Sequence, residues 1–238
     1  MEIMEIIMDA INYPLNHMKE LGIYIGIMFV IFLILLLTIG GVAVGASFDS
    51  AATVGIVGII GIVLVLLICL LVEGYGLDVV KLGIERSDDA PSIDIARQVI
   101  NGCKYIIMSI VYLIIPIIIM AILGAINDTL GLIVGIILLI IFGLALFMGA
   151  CRLAETESLG YALNVKEAIN DIMSVGIVKL LVILIIIIAI GSVLSLIAGL
   201  FSGHGTIGDI ISVIISALVS AYMFFFQNRA IGVLYSDK

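Results

Sequence analysis

Charge is scarce in this chain: 12% of its 238 residues are Asp, Glu, Lys or Arg. A soluble domain carries about a quarter, which excludes a water-soluble fold. Basic residues are the scarcer sign, ten against eighteen acids, for a net charge of −8. They form no block able to neutralise phosphates, which argues against a nucleic-acid partner and against a polybasic tether to anionic lipid. Cys69, Cys103 and Cys151 are too dispersed for a zinc or redox signature, and they read as reduced structural thiols. His17 and His204 fall on opposite sides of the topology derived below, so no metal and no other cofactor is expected. Catalytic signatures are also lacking. Gly203-His204-Gly205 is too short to cradle a phosphate and has no lysine after it. The only dense charged cluster, Glu85-Arg86-Ser87-Asp88-Asp89, has the composition of a solvated loop. The chain is not expected to be an enzyme.

What fills the space is apolar: 64% of residues are hydrophobic, with a mean hydropathy of +1.42. Six apolar runs stand at 23–44, 54–72, 105–123, 132–150, 176–200 and 207–226. Crossing a hydrocarbon core takes about 20 apolar residues in a helix, and the runs lack the alternation of barrel strands. Six transmembrane helices follow. The turns at 45–53, 124–131 and 201–206 contain no Lys or Arg, and all ten basic residues lie toward the other ends of the spans. Basic residues stay on the cytoplasmic side, so a multi-pass protein of the cell membrane is expected, with both termini cytoplasmic.

No secretory leader is expected from the first residues, because Glu2, Glu5 and Asp9 stand where positive charge belongs. Glu2, Glu5, Asp9 and Asn12 share one helical face and Ile3, Ile7 and Ile11 another. This predicts a helix lying in the membrane interface, ended or kinked at Pro14. Ala10-Ile11-Asn12 recurs as Val99-Ile100-Asn101 and as Ala168-Ile169-Asn170, each ahead of a span, a short outer turn, a second span and a polar return. The returns are 74–86, 151–164 and 227–238. Ser92 and the Asn164…Glu167 pair are candidate caps for the second and third lead-in helices. The expected fold is all-α: an integral membrane six-helix bundle in a single domain, 1–238. It would be built from three helical-hairpin repeats (about 1–90, 91–163 and 164–238), each preceded by an amphipathic interfacial helix. Parallel repeats assemble about an axis along the membrane normal.

Residues 73–116 read as the largest water-exposed piece. Gly74-Tyr75 closes a span there and Val79-Val80-Lys81 follows. Next come Pro91 and Asp94, Gly102-Cys103-Lys104 opening a span, and Tyr112 and Pro116 inside it. With Gly149 to Ala154 and Leu159 to Leu163, these features resemble the largely archaeal family of membrane proteins known as domain of unknown function 4013. Cys103 stands where a larger apolar residue is expected. The resemblance implies a polytopic membrane architecture and transfers no catalytic residue.

Ionisable residues in mid-bilayer cost about 2.5–3.5 kcal/mol or more and mark relays, pumps and voltage sensors. Here no span has one near its middle, and Glu73 and Lys179 sit at span ends within reach of water. Small and hydroxyl residues form stripes instead: Gly191, Ser195 and Gly199 in the fifth span, Ser212, Ser216 and Ser220 in the sixth. Helix packing explains these better than a polar path does, but Ser195, Ser212 and Ser216 are the candidate path residues, with Pro116 as a candidate gate. One acid marks each outer turn, Asp49, Asp128 and Asp209. A helix-capping role is favoured over a ring at an outer mouth. Two functions fit. The first is a small permease or channel-like protein for a small uncharged or weakly polar solute. The second is a membrane-organising scaffold with neither transport nor catalysis. The bilayer is the one certain partner, and a cytoplasmic protein or a second copy of the chain is a further candidate.

Overall fold

In lipid the backbone must satisfy its own polar groups, so long runs of Ile, Leu and Val become helices. The computed structural model describes residues 1–238. It contains α1 (Ile3–Asn16), α2 (Met18–Ser47), α3 (Ala51–Ile84), α4 (Ile95–Ile126), α5 (Asp128–Thr156), α6 (Leu159–Ala162), α7 (Val165–Val175), α8 (Ile177–Gly199) and α9 (Gly205–Tyr235). Six of these, α2, α3, α4, α5, α8 and α9, are long and apolar enough to cross a membrane. They make three consecutive hairpins, α2–α3, α4–α5 and α8–α9.

Three helices run well past their apolar stretches: α3 on from 72 to Ile84, α5 from 150 to Thr156, and α9 from 226 to Tyr235. These extensions pack on one another at the end that carries the Lys and Arg residues, hereafter the charged end. Most of the core lies there, including Met108, Met148, Leu153, Phe225, Phe226 and Leu234. Toward the outer turns the buried residues are small ones: Gly45, Gly61, Gly131, Gly135, Ala198 and Gly208. Glycines zip the hairpins. A Cβ on Gly131 would strike the Gly124 backbone, one on Gly135 would strike Met120, and one on Gly61 would strike Thr38. Gly41 and Gly45 pack against Val57, Thr53 and Val54, whereas Gly55 and Gly199 face open space. Gly191 meets only Met223.

The lead-in segments differ from expectation in three ways. The second is no separate helix, because α4 runs unbroken from Ile95 to Ile126, through Pro116. Its cap is Asp94, which accepts from Arg97 N at 3.1 Å, and not Ser92, whose carbonyl instead accepts from Gln98 Nε2 at 3.0 Å. In α1 the face turned to the protein is Ile6, Ile7, Ala10, Tyr13 and Pro14, while Met4 and Met8 point outward. Asp9 is drawn inward by an ion pair. Pro14 lies in the last turn of α1, and the chain breaks at His17. The third lead-in is α7, capped by Asn164, which accepts from Glu167 N at 3.3 Å.

Residues 73–116 are not a water-exposed piece. Gly74, Leu77, Asp78, Val79, Val80, Gln98, Asn101 and Gly102 are buried. Two helix crossings account for this. Gly74 and Gly102 let α3 and α4 touch backbone to backbone, so that a Cβ on either collides with Gln98 or Leu70 of the other helix. Gly83 and Gly232 do the same for α3 and α9.

Candidate functional site at the convergence of the hairpins

Three charged joints hold the charged end. Just past the apolar run of α9, Arg229 is 1% exposed. Its Nε and Nη2 donate to Asp9 of α1 at 2.6 and 3.1 Å, and its Nη1 donates to the carbonyls of Leu82 and Ser87 at 3.2 and 2.6 Å. The guanidinium lies over the Tyr13 ring, 4.6 Å from its centre. On α3, Asp78 accepts a fork from Arg97 of α4 at 2.7 and 2.9 Å and a bond from Gln98 Nε2 at 2.8 Å. On α5, Arg152 donates to Asp171 of α7 at 3.0 Å, and Asp171 also accepts from the Tyr235 hydroxyl at 3.1 Å. The joints therefore run α3 to α4, α5 to α7, and α9 back to α1.

A fourth cluster ties the two ends of the chain together. Asp237 accepts from the Met1 amine at 2.8 Å, from Arg86 at 2.7 Å and from Lys179. Lys179 is therefore paired and does not reach for water. The 85–89 loop is anchored too: Arg86 reaches Ser236 at 2.9 Å, and the Asp89 carbonyl accepts from the Tyr13 hydroxyl at 2.9 Å. Burial alone would raise the Asp237 pKa, but hydrogen bonds from Lys179 and the N-terminal amine hold it below the ordinary value. Glu157 is likewise held down, burial being outweighed by Asn101, Lys81 and Arg97. A carboxyl whose folded pKa is depressed contributes stability above its unfolded value (about 3.9 for Asp and 4.3 for Glu), and loses it as pH falls through the folded one. Acidification below about pH 4 is therefore expected to loosen the terminal cluster. Amide exchange of residues 1–6, corrected for its intrinsic pH dependence, should accelerate there in the wild type. In Asp237→Asn it should already be fast at neutral pH.

Among the helix extensions, level with these joints, lies a cavity of about 190 Å³, bounded by all three hairpins. Glu73, Leu77 and Val80 of α3 line it with Tyr105 of α4, Phe147 and Ala150 of α5, and Phe224, Gln227, Asn228 and Ile231 of α9. Glu73 is half-buried and makes neither an ion pair nor a hydrogen bond, unlike the acids at the joints. Asn228 spends its amide NH₂ on the Phe224 carbonyl at 2.8 Å, which leaves its side-chain oxygen free. A smaller void of about 40 Å³ near Glu20, Tyr24, Tyr75 and Gln98 has room for water. The Gln98 side-chain oxygen is the one buried polar atom without a partner, since its NH₂ is committed to Asp78 and Ser92.

The candidate residues read from the sequence lie elsewhere. Ser195 and Ser216 are exposed on the outside of the bundle and Ser212 is half-buried; none of them lines the two cavities above. Pro116 is buried in α4 one turn beyond Tyr112, whose hydroxyl donates to the Ala162 carbonyl at 2.8 Å. Asp49 and Asp128 are exposed, and the caps beside them are Ser50, accepting from Thr53 N at 3.3 Å, and Asn127, accepting from Leu130 N at 3.0 Å. Asp209 accepts from Gly203 N at 2.8 Å and braces the last turn. Sequence reading passed over Tyr105, Gln227 and Asn228. The available signal was the polar pair Gln227-Asn228 closing the sixth apolar run at the depth where Glu73 closes the second.

No curated protein and no solved structure matches this chain. The family described as a protein of unknown function (DUF4013) matches residues 57–203, from within α3 to the turn before α9. That is more than half of the sequence, and it includes Glu73, Tyr105 and Phe147 of the cavity: the chain belongs to the DUF4013 family.

Proposed function

We propose that this multi-pass membrane protein is a small permease whose solute-binding step takes place in the cavity at Glu73, and that it is not an enzyme. The observation that carries the reading is the cavity's composition. It combines an unpaired carboxylate, two amides and the aromatic residues Tyr105 and Phe147 where helices of all three hairpins meet. Small-ligand pockets likewise combine apolar side chains with a few convergent polar groups, and a volume of about 190 Å³ suits a ligand of only a few heavy atoms. The cyclic run of ion-paired joints supports a threefold repeat, in which each hairpin end clasps the lead-in of the next. By the distribution of Lys and Arg the charged end faces the cytoplasm, and the Met1–Asp237 contact supports a common side for both termini. The joints then brace the cytoplasmic end around the cavity. The lack of mid-span charge favours facilitated passage of a small polar solute over ion-coupled pumping.

Purified protein in liposomes tests the proposal by light scattering against gradients of glycerol, urea and methylammonium chloride. Accelerated entry of at least one solute over protein-free liposomes is expected, together with at least a fivefold loss in Gln227→Leu. Entry rates equal to those of bare lipid for every solute would instead favour a membrane-organising scaffold. The apolar cleft between α2 and α9, about 740 Å³ and flanked by Phe29, Phe32, Ile210 and Val213, is the surface such a scaffold would offer.

A further inference from the structure

We infer that the cavity at Glu73 recognises a small organic ammonium cation, a positively charged nitrogen carrying a few carbon atoms. The inference rests on the cavity being the solute site and names the class of solute. Three features define the class. The lining has one carboxylate and no Lys, Arg or His, so that carboxylate has no cationic partner in the site. An anion would be repelled, and a neutral solute would leave the carboxylate unpaired. Seven of the ten lining residues are apolar, the aromatic Tyr105 and Phe147 among them, and aromatic faces attract cations, most strongly where water is excluded. Bare inorganic cations are poorly served: calcium takes six to eight oxygens, and the lining residues with a side-chain oxygen are Glu73, Gln227, Asn228 and Tyr105. No cluster of acids, histidines or cysteines elsewhere would hold a metal ion. An alkylated ammonium satisfies both halves of the site, its charge facing Glu73 and its carbons facing the rings.

The test is equilibrium binding of tetramethylammonium chloride to the full chain in lipid nanodiscs, followed by titration calorimetry. tert-Butanol serves as the neutral probe of similar shape and sodium chloride as the inorganic one. Saturable binding of tetramethylammonium alone is expected, weakened at least tenfold in the isosteric Glu73→Gln and in Phe147→Leu, and unchanged in Glu85→Gln, which alters an exposed loop acid. Melting curves matching the wild type establish that the variants are folded, and Gln227→Leu replaces any that is not. Absence of saturable binding by the wild type, equal binding of sodium or tert-butanol, or binding indifferent to Glu73→Gln would each overturn the inference. Liposome flux in the same preparation separates the two proposals. Flux of glycerol or urea without ammonium binding overturns this inference and keeps the permease. Ammonium binding without any flux upholds the site and overturns the permease.

Discussion

Arg229→Met is expected to destabilise the protein by about 1–3 kcal/mol, the cost of leaving buried acceptors without their donor. Methionine matches the length of the side chain but supplies none of its donors. Asp9 would then keep its charge against a protein surface without a counter-ion, and the carbonyls of Leu82 and Ser87 would lose their donor. The Tyr13 ring would lose the cation stacked on it. Arg229→Lys keeps the charge but loses the fork that reaches Asp9 and two carbonyls at once, so an intermediate loss is expected. Asp9→Asn combined with Arg229→Met should cost less than the sum of the two single changes, because the uncompensated carboxylate is gone. Unfolding in mixed micelles, followed through the tyrosine signal, measures all four proteins. A loss below about 1 kcal/mol for Arg229→Met would show that water replaces the joint and that the charged end is not locked by it.

Gly102→Ala is the second large effect. One methyl group is added, yet it falls on the backbone of Leu70, which cannot rotate aside as a side chain can. Either α3 and α4 separate along their crossing or the helix unwinds locally, at a cost at or beyond the upper end of the usual 1–3 kcal/mol for overpacking. Gly74→Ala meets the Gln98 backbone across the same crossing and should behave alike. Gly55→Ala is the contrast, since its new methyl group meets nothing within 4 Å. There alanine's helix preference should stabilise or leave the protein unchanged, by roughly 0.5–1 kcal/mol at most. Melting temperatures in detergent order these variants. Equal behaviour of Gly102→Ala and Gly55→Ala would mean that the crossing is looser than described.

The six spans were legible because a bilayer imposes one requirement, a run of about 20 apolar residues, that composition meets or fails locally. The continuation of α3, α5 and α9 beyond those runs was not, because hydropathy falls there while the helix persists. Those turns are held by contacts from distant segments. Arg229 and Asp9 are 220 residues apart, and no periodicity links them. The second lead-in read as a separate helix because Pro91 and the polar residues after it signal a boundary. In the fold Gly102 brings α4 onto α3 and the helix simply runs on. The loop at 85–89 was judged by its charge density, which describes a solvated segment equally well. What distinguishes it is that its carbonyls and Arg86 find partners on α1, α9 and the C-terminal residues. For the cavity the difficulty was of the same kind. Glu73 at the end of a span looks like any carboxylate reaching for water until the helices of the other two hairpins are set around it. The serine stripes misled in the opposite direction, since regular spacing on one helix does not say whether that face is turned inward.

The closing joint between α9 and α1 also sets an order of events during synthesis. At about 5–20 residues per second, the 220 residues separating Asp9 from Arg229 take roughly 10–45 s to translate. For that interval α1 has emerged, but its counter-ion does not yet exist. The first two joints, α3 to α4 and α5 to α7, have partners 19 residues apart and can form as soon as their segments emerge. The ring is therefore completed by its slowest member. A chain that stops before α9 carries an unpaired Asp9 and an unclosed charged end.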